Sequence, residues 1–169
     1  NVGGCYSGMP KSYFWPDWDN NPPIEGAFDG EYLTDRLTQE ACRFIETHQD
    51  RPFYLNLCHY SVHIPLQAKP EKIAKYEAKL KTHPPEAGQQ NNPLYAAMIE
   101  SIDDGVGQLM ETLRRCGLIE NTVVFFFSDN GGLSVKEGEN TPATTNAPLR
   151  GGKGFLHEGG IREPLIIAW

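Results

Sequence analysis

Apolar residues recur at helical spacing in two parts of the chain, and each series predicts an amphipathic helix. The longer series steps by four, four, four, three and four residues through Leu94, Met98, Ile102, Val106, Leu109 and Leu113. Gly117 suits the position just past the end of that helix. A second helix is predicted over residues 34–48, with Thr34 as its N-cap. A shorter helix is predicted around Pro70 to Leu80.

Two short apolar runs predict buried strands on either side of the long helix. One runs from Phe53 to Cys58, and the other runs from Thr122 to Phe127 and is dominated by β-branched and aromatic residues. A strand, a helix and a strand in this order predict a βαβ unit with parallel strands and a right-handed crossover. The fold class is therefore α/β. Residues 164–169 resemble the start of a further buried strand.

Composition narrows the function classes more than it narrows the fold. The chain has 169 residues and a formal net charge of −7, which argues against a sequence-independent nucleic-acid binder. Its longest strictly apolar run, Val123 to Phe127, is far below the roughly 18 residues that span a bilayer.

The four cysteines show neither a zinc spacing nor a disulfide framework, and Cys42 and Cys58 are interpreted as small buried hydrophobes. Residues 1–31 are rich in glycine, proline and aromatics, which predicts an irregular loop that either lines a pocket or packs on the core.

Oxygen ligands follow the second predicted strand. Asp129 and Asn130 come directly after Phe127, at the carboxyl end where open α/β sheets bind ligands. A carboxylate and an amide carbonyl suit a hard cation such as Ca²⁺ or Mg²⁺. The same D-N-G-G run is also an ordinary turn sequence, so the pattern alone leaves both interpretations open.

Two further segments carry candidate chemistry for an anion. Residues 149–162 surround Lys153 with glycines and arginines, which favours either a phosphate or sulfate cradle or a flexible basic loop. The segment is not a P-loop, because Lys153 is followed by glycine. His63 lies just beyond the first predicted strand, where it would serve as a hydrogen-bond donor or acid–base group, or would be structural.

Taken in order, these segments resemble the sulfatase family, of the bacterial arylsulfatase type within the alkaline-phosphatase-like superfamily. The resemblance rests on H-I-P-L at 63–66, S-D-N-G at 128–131, L-R-G-G-K-G at 149–154 and E-G-G-I-R-E-P at 158–164. It implies a mostly parallel sheet between helices. It also implies that Asp129 and Asn130 ligate a divalent cation, usually Ca²⁺, and that His63 and Lys153 contact the sulfate ester as binding and catalytic residues.

The chain departs from the family pattern at the nucleophile. Family sulfatases form a formylglycine from Cys or Ser in a C/S-x-P/A-x-R motif, and this motif is absent here, as are the paired aspartates that complete the metal site. We therefore expect residues 1–169 to be one partial catalytic domain that is inactive alone. The alternatives are a phosphodiesterase or phosphonate hydrolase of the same superfamily and a non-catalytic anion-binding module. The resemblance implies a sulfate ester substrate, in a periplasmic or secreted protein. Because the first loop holds aromatic residues suited to stacking on sugar rings, a sulfated carbohydrate is preferred over a small aryl sulfate.

Overall fold

Three helices provide most of the regular structure in the computed structural model, which describes residues 12–18 and 24–169. Helix α1 is Leu33–Thr47, α2 is Pro70–Thr82 and α3 is Pro93–Arg115. A 3₁₀ turn, Ile119–Asn121, leads into strand β1, Val124–Phe127. A short helix α4, Glu158–Ile161, precedes strand β2, Leu165–Ala168. All three helices predicted from the sequence are confirmed, with ends that shift by one or two residues.

Helix α3 is bounded by capping groups at both ends. Asn92 Oδ1 accepts a hydrogen bond from the Tyr95 backbone N–H at 3.1 Å, and Pro93 occupies the first helical position. Gly117 has φ 70° and closes the helix as predicted. Its N–H donates to Arg114 O at 2.9 Å, while Leu118 N–H donates to Leu113 O at 2.8 Å. These two bonds form a Schellman motif, which only a residue tolerant of positive φ completes without strain.

The buried face of α3 uses smaller residues than the predicted stripe. Ala97, Ser101 and Gly105 are buried where α1 packs along α3, and a Cβ on Gly105 would lie 2.5 Å from Thr38 Oγ1. Of the predicted stripe, only Met98 and Leu113 are buried, and the other four residues are half-buried. Small side chains let the two helices approach closely, and a search for large apolar residues overlooks that face.

The start of α1 differs from the prediction. The helix begins at Leu33 after Tyr32, so Thr34 is not its N-cap. Thr34 is buried, and its hydroxyl lies 2.5 Å from Ser61 Oγ. The hydroxyl therefore ties α1 to the segment that carries His63 rather than closing a helix end.

The aromatic loop packs on the core rather than standing apart from it. Tyr13, Trp18 and Tyr32 are buried with residues of α1 and α3. Gln67 binds the two tyrosines: its Oε1 accepts from Tyr13 N–H at 2.7 Å, and its carbonyl accepts from the Tyr32 hydroxyl at 2.8 Å. The rest of the predicted loop, residues 1–11 and 19–23, lies outside the described residues.

The strands are where the structure departs most from the sequence-based expectations. No strand forms over residues 53–58, because that segment has no hydrogen-bonded neighbour in the described chain. Strand β1 pairs with β2 in an antiparallel ribbon, with Val124 opposite Ala168 and Phe127 opposite Leu165. The predicted parallel βαβ unit is therefore not confirmed. The ribbon is exposed rather than buried, since no described helix packs on it.

The three described cysteines differ in exposure. Cys58 is exposed, so its predicted burial is wrong: the segment around it is unpaired and alternates between half-buried and exposed residues. Cys42, on α1, is half-buried, as is Cys116, and all three are free thiols. Cys5 lies outside the described residues.

Candidate functional site

His63 and Lys153 are in direct contact although 90 positions separate them in the sequence. Lys153 Nζ lies 2.7 Å from His63 Nε2, and His63 Nδ1 lies 2.8 Å from the Ile64 carbonyl oxygen. Because a carbonyl oxygen only accepts, Nδ1 carries the proton and Nε2 accepts from the Lys153 ammonium. The pair thus places a cationic donor and a proton-accepting nitrogen at one point, which suits anion binding and acid–base chemistry.

A buried tyrosine supports the His63 backbone. The Tyr13 hydroxyl is completely enclosed and lies 2.9 Å from the His63 carbonyl and 3.0 Å from the Tyr60 carbonyl, to which it donates. Burial raises the pKa of Tyr13 far above its ordinary value, so the hydroxyl keeps its proton for this bond. Tyr13 lies in the aromatic loop, and nothing in the sequence pattern singled it out as a support for His63.

Glycines shape the turn that presents Lys153. Gly151 and Gly154, at φ 79° and 85°, flank it in the left-handed region that side chains disfavour. The Lys153 backbone N–H donates to Gly132 O at 3.1 Å. Gly131 N–H donates to Gly160 O at 3.2 Å. The glycine-rich segment after Arg150 therefore lies directly against the segment that carries Asp129 and Asn130.

Asp129 and Asn130 offer oxygen atoms at the end of β1. Asp129 is exposed, and the Ser128 hydroxyl donates to the Asn130 carbonyl at 2.8 Å. Asn130 Nδ2 donates to the Gly131 carbonyl at 3.0 Å. This bond fixes the amide orientation, so Oδ1 is the Asn130 side-chain atom available to a ligand. One carboxylate and one amide oxygen fit a hard divalent cation, of which Ca²⁺ takes six to eight oxygen ligands.

A second carboxylate, which the sequence analysis did not single out, belongs to the same region. Burial, and then the charge of Asp129, raise the pKa of Glu163. Glu163 Oε1 is enclosed and has no hydrogen-bond partner among the described residues. Within residues 12–18 and 24–169, no group of three or more His, Cys, Asp or Glu side chains is arranged to hold a metal ion. Asp129 and Asn130 therefore fit as part of a cation site rather than as a complete one.

The other histidines near these segments are weaker candidates. Both ring nitrogens of His59 are enclosed without a hydrogen-bond partner in residues 12–18 and 24–169, and burial lowers the pKa of His59. His157 precedes α4, and its Cβ would lie 3.3 Å from a Cβ placed on Gly151. Neither contacts Lys153 or His63 through a hydrogen bond in the described structure.

Comparison with known proteins identifies the family. The Sulfatase family model matches residues 5–169. A "Sulfatase" from Formosa agariphila is 35% identical over 161 residues, covering 89% of this chain and 27% of that protein. The N-acetylgalactosamine-6-sulfatase of Mus musculus is 33% identical over 149 residues, covering 87% of this chain and 26% of that protein. Among solved structures, Ps i-CgsB in complex with k-i-k-neocarrahexaose is 35% identical with a TM-score of 0.66, over 86% of this chain and 30% of that one.

The solved structures that this chain matches define the class, since they are sulfatases of the alkaline-phosphatase-like fold. Within it, the chain belongs to the sulfatase family. The chain spans about a quarter of the length of the curated relatives named above. In the described residues, no helix has both the length and the apolar character needed to cross a bilayer.

Proposed function

We propose that this chain is the part of a sulfate monoester hydrolase that holds the sulfate group. The observation that carries the proposal is the 2.7 Å contact between Lys153 Nζ and His63 Nε2. Two segments that resemble separate sulfatase motifs meet there. Turn sequences or flexible basic loops that served no common site would have no reason to converge on one point.

Lys153 and His63 have distinct chemical tasks in this proposal. Lys153 provides a compact positive charge for the sulfuryl oxygens, where negative charge grows as the ester bond breaks. His63 Nε2 is the acid–base atom: it takes a proton from a reacting group and delivers it to the leaving oxygen, while Lys153 keeps its own proton and charge. The Nδ1–H bond to the Ile64 carbonyl holds the ring in the tautomer in which Nε2 is the proton acceptor, and Nε2 faces the Lys153 ammonium.

Asp129 and Asn130 are proposed to hold part of a divalent cation site, most consistent with Ca²⁺. Their contribution is the exposed carboxylate and the oriented Oδ1 described above. When bound, such a cation supplies electrostatic stabilisation of the sulfuryl oxygens. The hydrogen bond from Lys153 N–H to Gly132 O joins the segment that carries these ligands to the segment that carries Lys153.

A sulfated carbohydrate is the proposed substrate. One related structure is described as a complex with k-i-k-neocarrahexaose, and one relative is named for N-acetylgalactosamine-6-sulfate. In this chain, the half-buried ring of Trp15 packs 5.5 Å from the buried ring of Trp18, in the loop that also supplies Tyr13. The accessible part of Trp15 is an aromatic surface on which a sugar ring can stack. Export to the periplasm or medium remains a prediction from the family resemblance.

The nucleophile motif is absent, so the 169-residue chain alone should not turn over a sulfate ester. The test compares this chain with the protein expressed from its complete reading frame, using 4-nitrophenyl sulfate with and without added Ca²⁺. We expect turnover only from the latter. Lys153→Ala and His63→Ala should each lower kcat/KM by about 10²-fold or more. Lys136→Ala and His83→Ala, both at exposed positions, should leave it unchanged.

The outcomes separate the alternatives. Turnover by the 169-residue chain would overturn its proposed inactivity. Preferential turnover of bis(4-nitrophenyl) phosphate would favour a phosphodiesterase. Binding of sulfate without hydrolysis by the complete protein would favour an anion-binding module. Loss of activity on chelation, with a higher Ca²⁺ requirement in Asp129→Asn, would support the cation site.

A further inference from the structure

The Asn146 side chain makes three hydrogen bonds to the two backbone segments that meet at the site. Its Oδ1 accepts from the Gly132 N–H at 2.9 Å, and its Nδ2 donates to the Gly132 carbonyl at 2.9 Å. Nδ2 also donates to the Gly151 carbonyl at 3.2 Å. The amide thus bonds the backbone N–H and carbonyl of Gly132 and also the carbonyl of Gly151.

The two glycines that Asn146 binds are close in sequence to the proposed site residues. Gly132 is two positions after Asn130, and Gly151 is two positions before Lys153. The Gly132 carbonyl accepts from both Asn146 Nδ2 and Lys153 N–H, so both of its lone-pair directions are used. Asn146 therefore lies between the proposed cation ligands and the proposed sulfate-binding lysine.

The backbone of Gly152 packs tightly against the Asn146 amide. A Cβ on Gly152 would lie 2.5 Å from Asn146 Nδ2 and 2.5 Å from the Gly132 carbonyl. No side chain fits there, so Gly152 is the residue that lets the two segments close on Asn146. An aspartate at position 146 would turn an oxygen toward two carbonyls, and an alanine would leave the Gly132 N–H without its acceptor.

We propose that Asn146 is a positioning residue that sets Lys153 against Asp129 and Asn130. The proposal rests on the proposed function, since those three residues gain a shared task only there. Asn146 touches neither substrate nor cation; it acts through the backbones of Gly132 and Gly151. A displacement of about 1 Å in such an arrangement costs about 100-fold in rate.

The experiment uses the protein expressed from its complete reading frame. Asn146→Ala is compared with Asn92→Ala, which also removes a side chain that accepts one backbone bond and donates another, to Asn140 O at 3.1 Å, but at the start of α3. Both variants are assayed with 4-nitrophenyl sulfate well below their melting temperatures, where the folded fraction is complete. Hydrogen–deuterium exchange is followed in peptides that cover residues 150–156.

We expect Asn146→Ala to lower kcat by about 100-fold with little change in KM, and to speed exchange at the Lys153 amide. Asn92→Ala should lower the melting temperature but keep kcat within threefold of the wild type. If Asn146→Ala does not fold, Asn146→Asp replaces it: the aspartate keeps the acceptor for Gly132 N–H and loses the two bonds that Nδ2 donates, so the same fall in kcat is expected. A kcat within threefold of the wild type overturns the proposal. If the wild type hydrolyses no sulfate ester, the proposed function fails, and exchange alone decides: unchanged protection of residues 150–156 overturns the role of Asn146.

Discussion

Replacing Glu100 by glutamine should remove a pH-dependent part of the stability of the α2–α3 pair. Glu100, on α3, binds two ammonium groups of α2: Oε1 lies 3.0 Å from Lys72 Nζ and Oε2 lies 2.9 Å from Lys75 Nζ. Lys72 is buried and also pairs with Asp104. Lys75, and then Lys72, lower the pKa of Glu100 from 4.5 to about 2.

The size of the effect follows from that pKa. At full value, the gap between 4.5 and about 2 corresponds to about 3 kcal/mol of folding free energy. The Lys75 side chain is 62% exposed, so solvent screens its share, and about 1–2 kcal/mol remains. Because the folded state favours the carboxylate, this stabilisation is complete above pH 4.5 and is lost as the pH falls toward 2.

The assay is urea unfolding of wild type and Glu100→Gln at several pH values from 7 down to 2.5. We expect the variant to be about 1–2 kcal/mol less stable at pH 7, with the difference shrinking steadily below pH 4.5. Asp103→Asn is the matched control, because Asp103 is the exposed carboxylate on the same helix that forms no ion pair with a described residue. A difference that stays constant with pH, or equals that of Asp103→Asn, would refute the reasoning.

Two further predictions concern buried side chains. His59→Phe should raise the melting temperature above that of the wild type, by an amount that grows as the pH falls from 7 to 5. Burial lowers the pKa of His59, so below the ordinary value of 6.5 the unfolded chain takes up a proton more readily than the folded protein and the wild type loses stability. An equal gain at every pH would contradict this account, and exposed His83→Gln is the control. Met98→Ala should lower the unfolding free energy by about 2–5 kcal/mol, because Met98 is completely buried. Ile99→Ala, at a 44% exposed neighbour, should cost much less in the same urea titration, and equal losses would contradict this account.

The helices could be predicted because their information is local. A series of apolar residues at spacings of three and four, closed by Gly117, defines α3 without reference to any other segment. The apolar run of β1 predicts less. It indicates that Phe125 and Phe127 favour burial, but it does not indicate which segment covers them. In the described structure these side chains are 59% and 66% exposed. The apolar pattern also could not predict the antiparallel direction of pairing, because β1 pairs with β2, a segment that is distant in the sequence.

The candidate site shows the same limit at the scale of single residues. His63 and Lys153 could each be named from their motifs, but their 2.7 Å contact depends on how the glycine-rich segment closes. Hydrogen bonds from the Asn146 side chain to the backbones of Gly132 and Gly151 hold that segment in place. Backbone hydrogen bonds leave no distinctive residue in the sequence except the glycines that make room for them, and an asparagine in a polar loop is ordinary turn composition. The residues that do the chemistry are therefore easier to find from sequence than the residues that hold them in place.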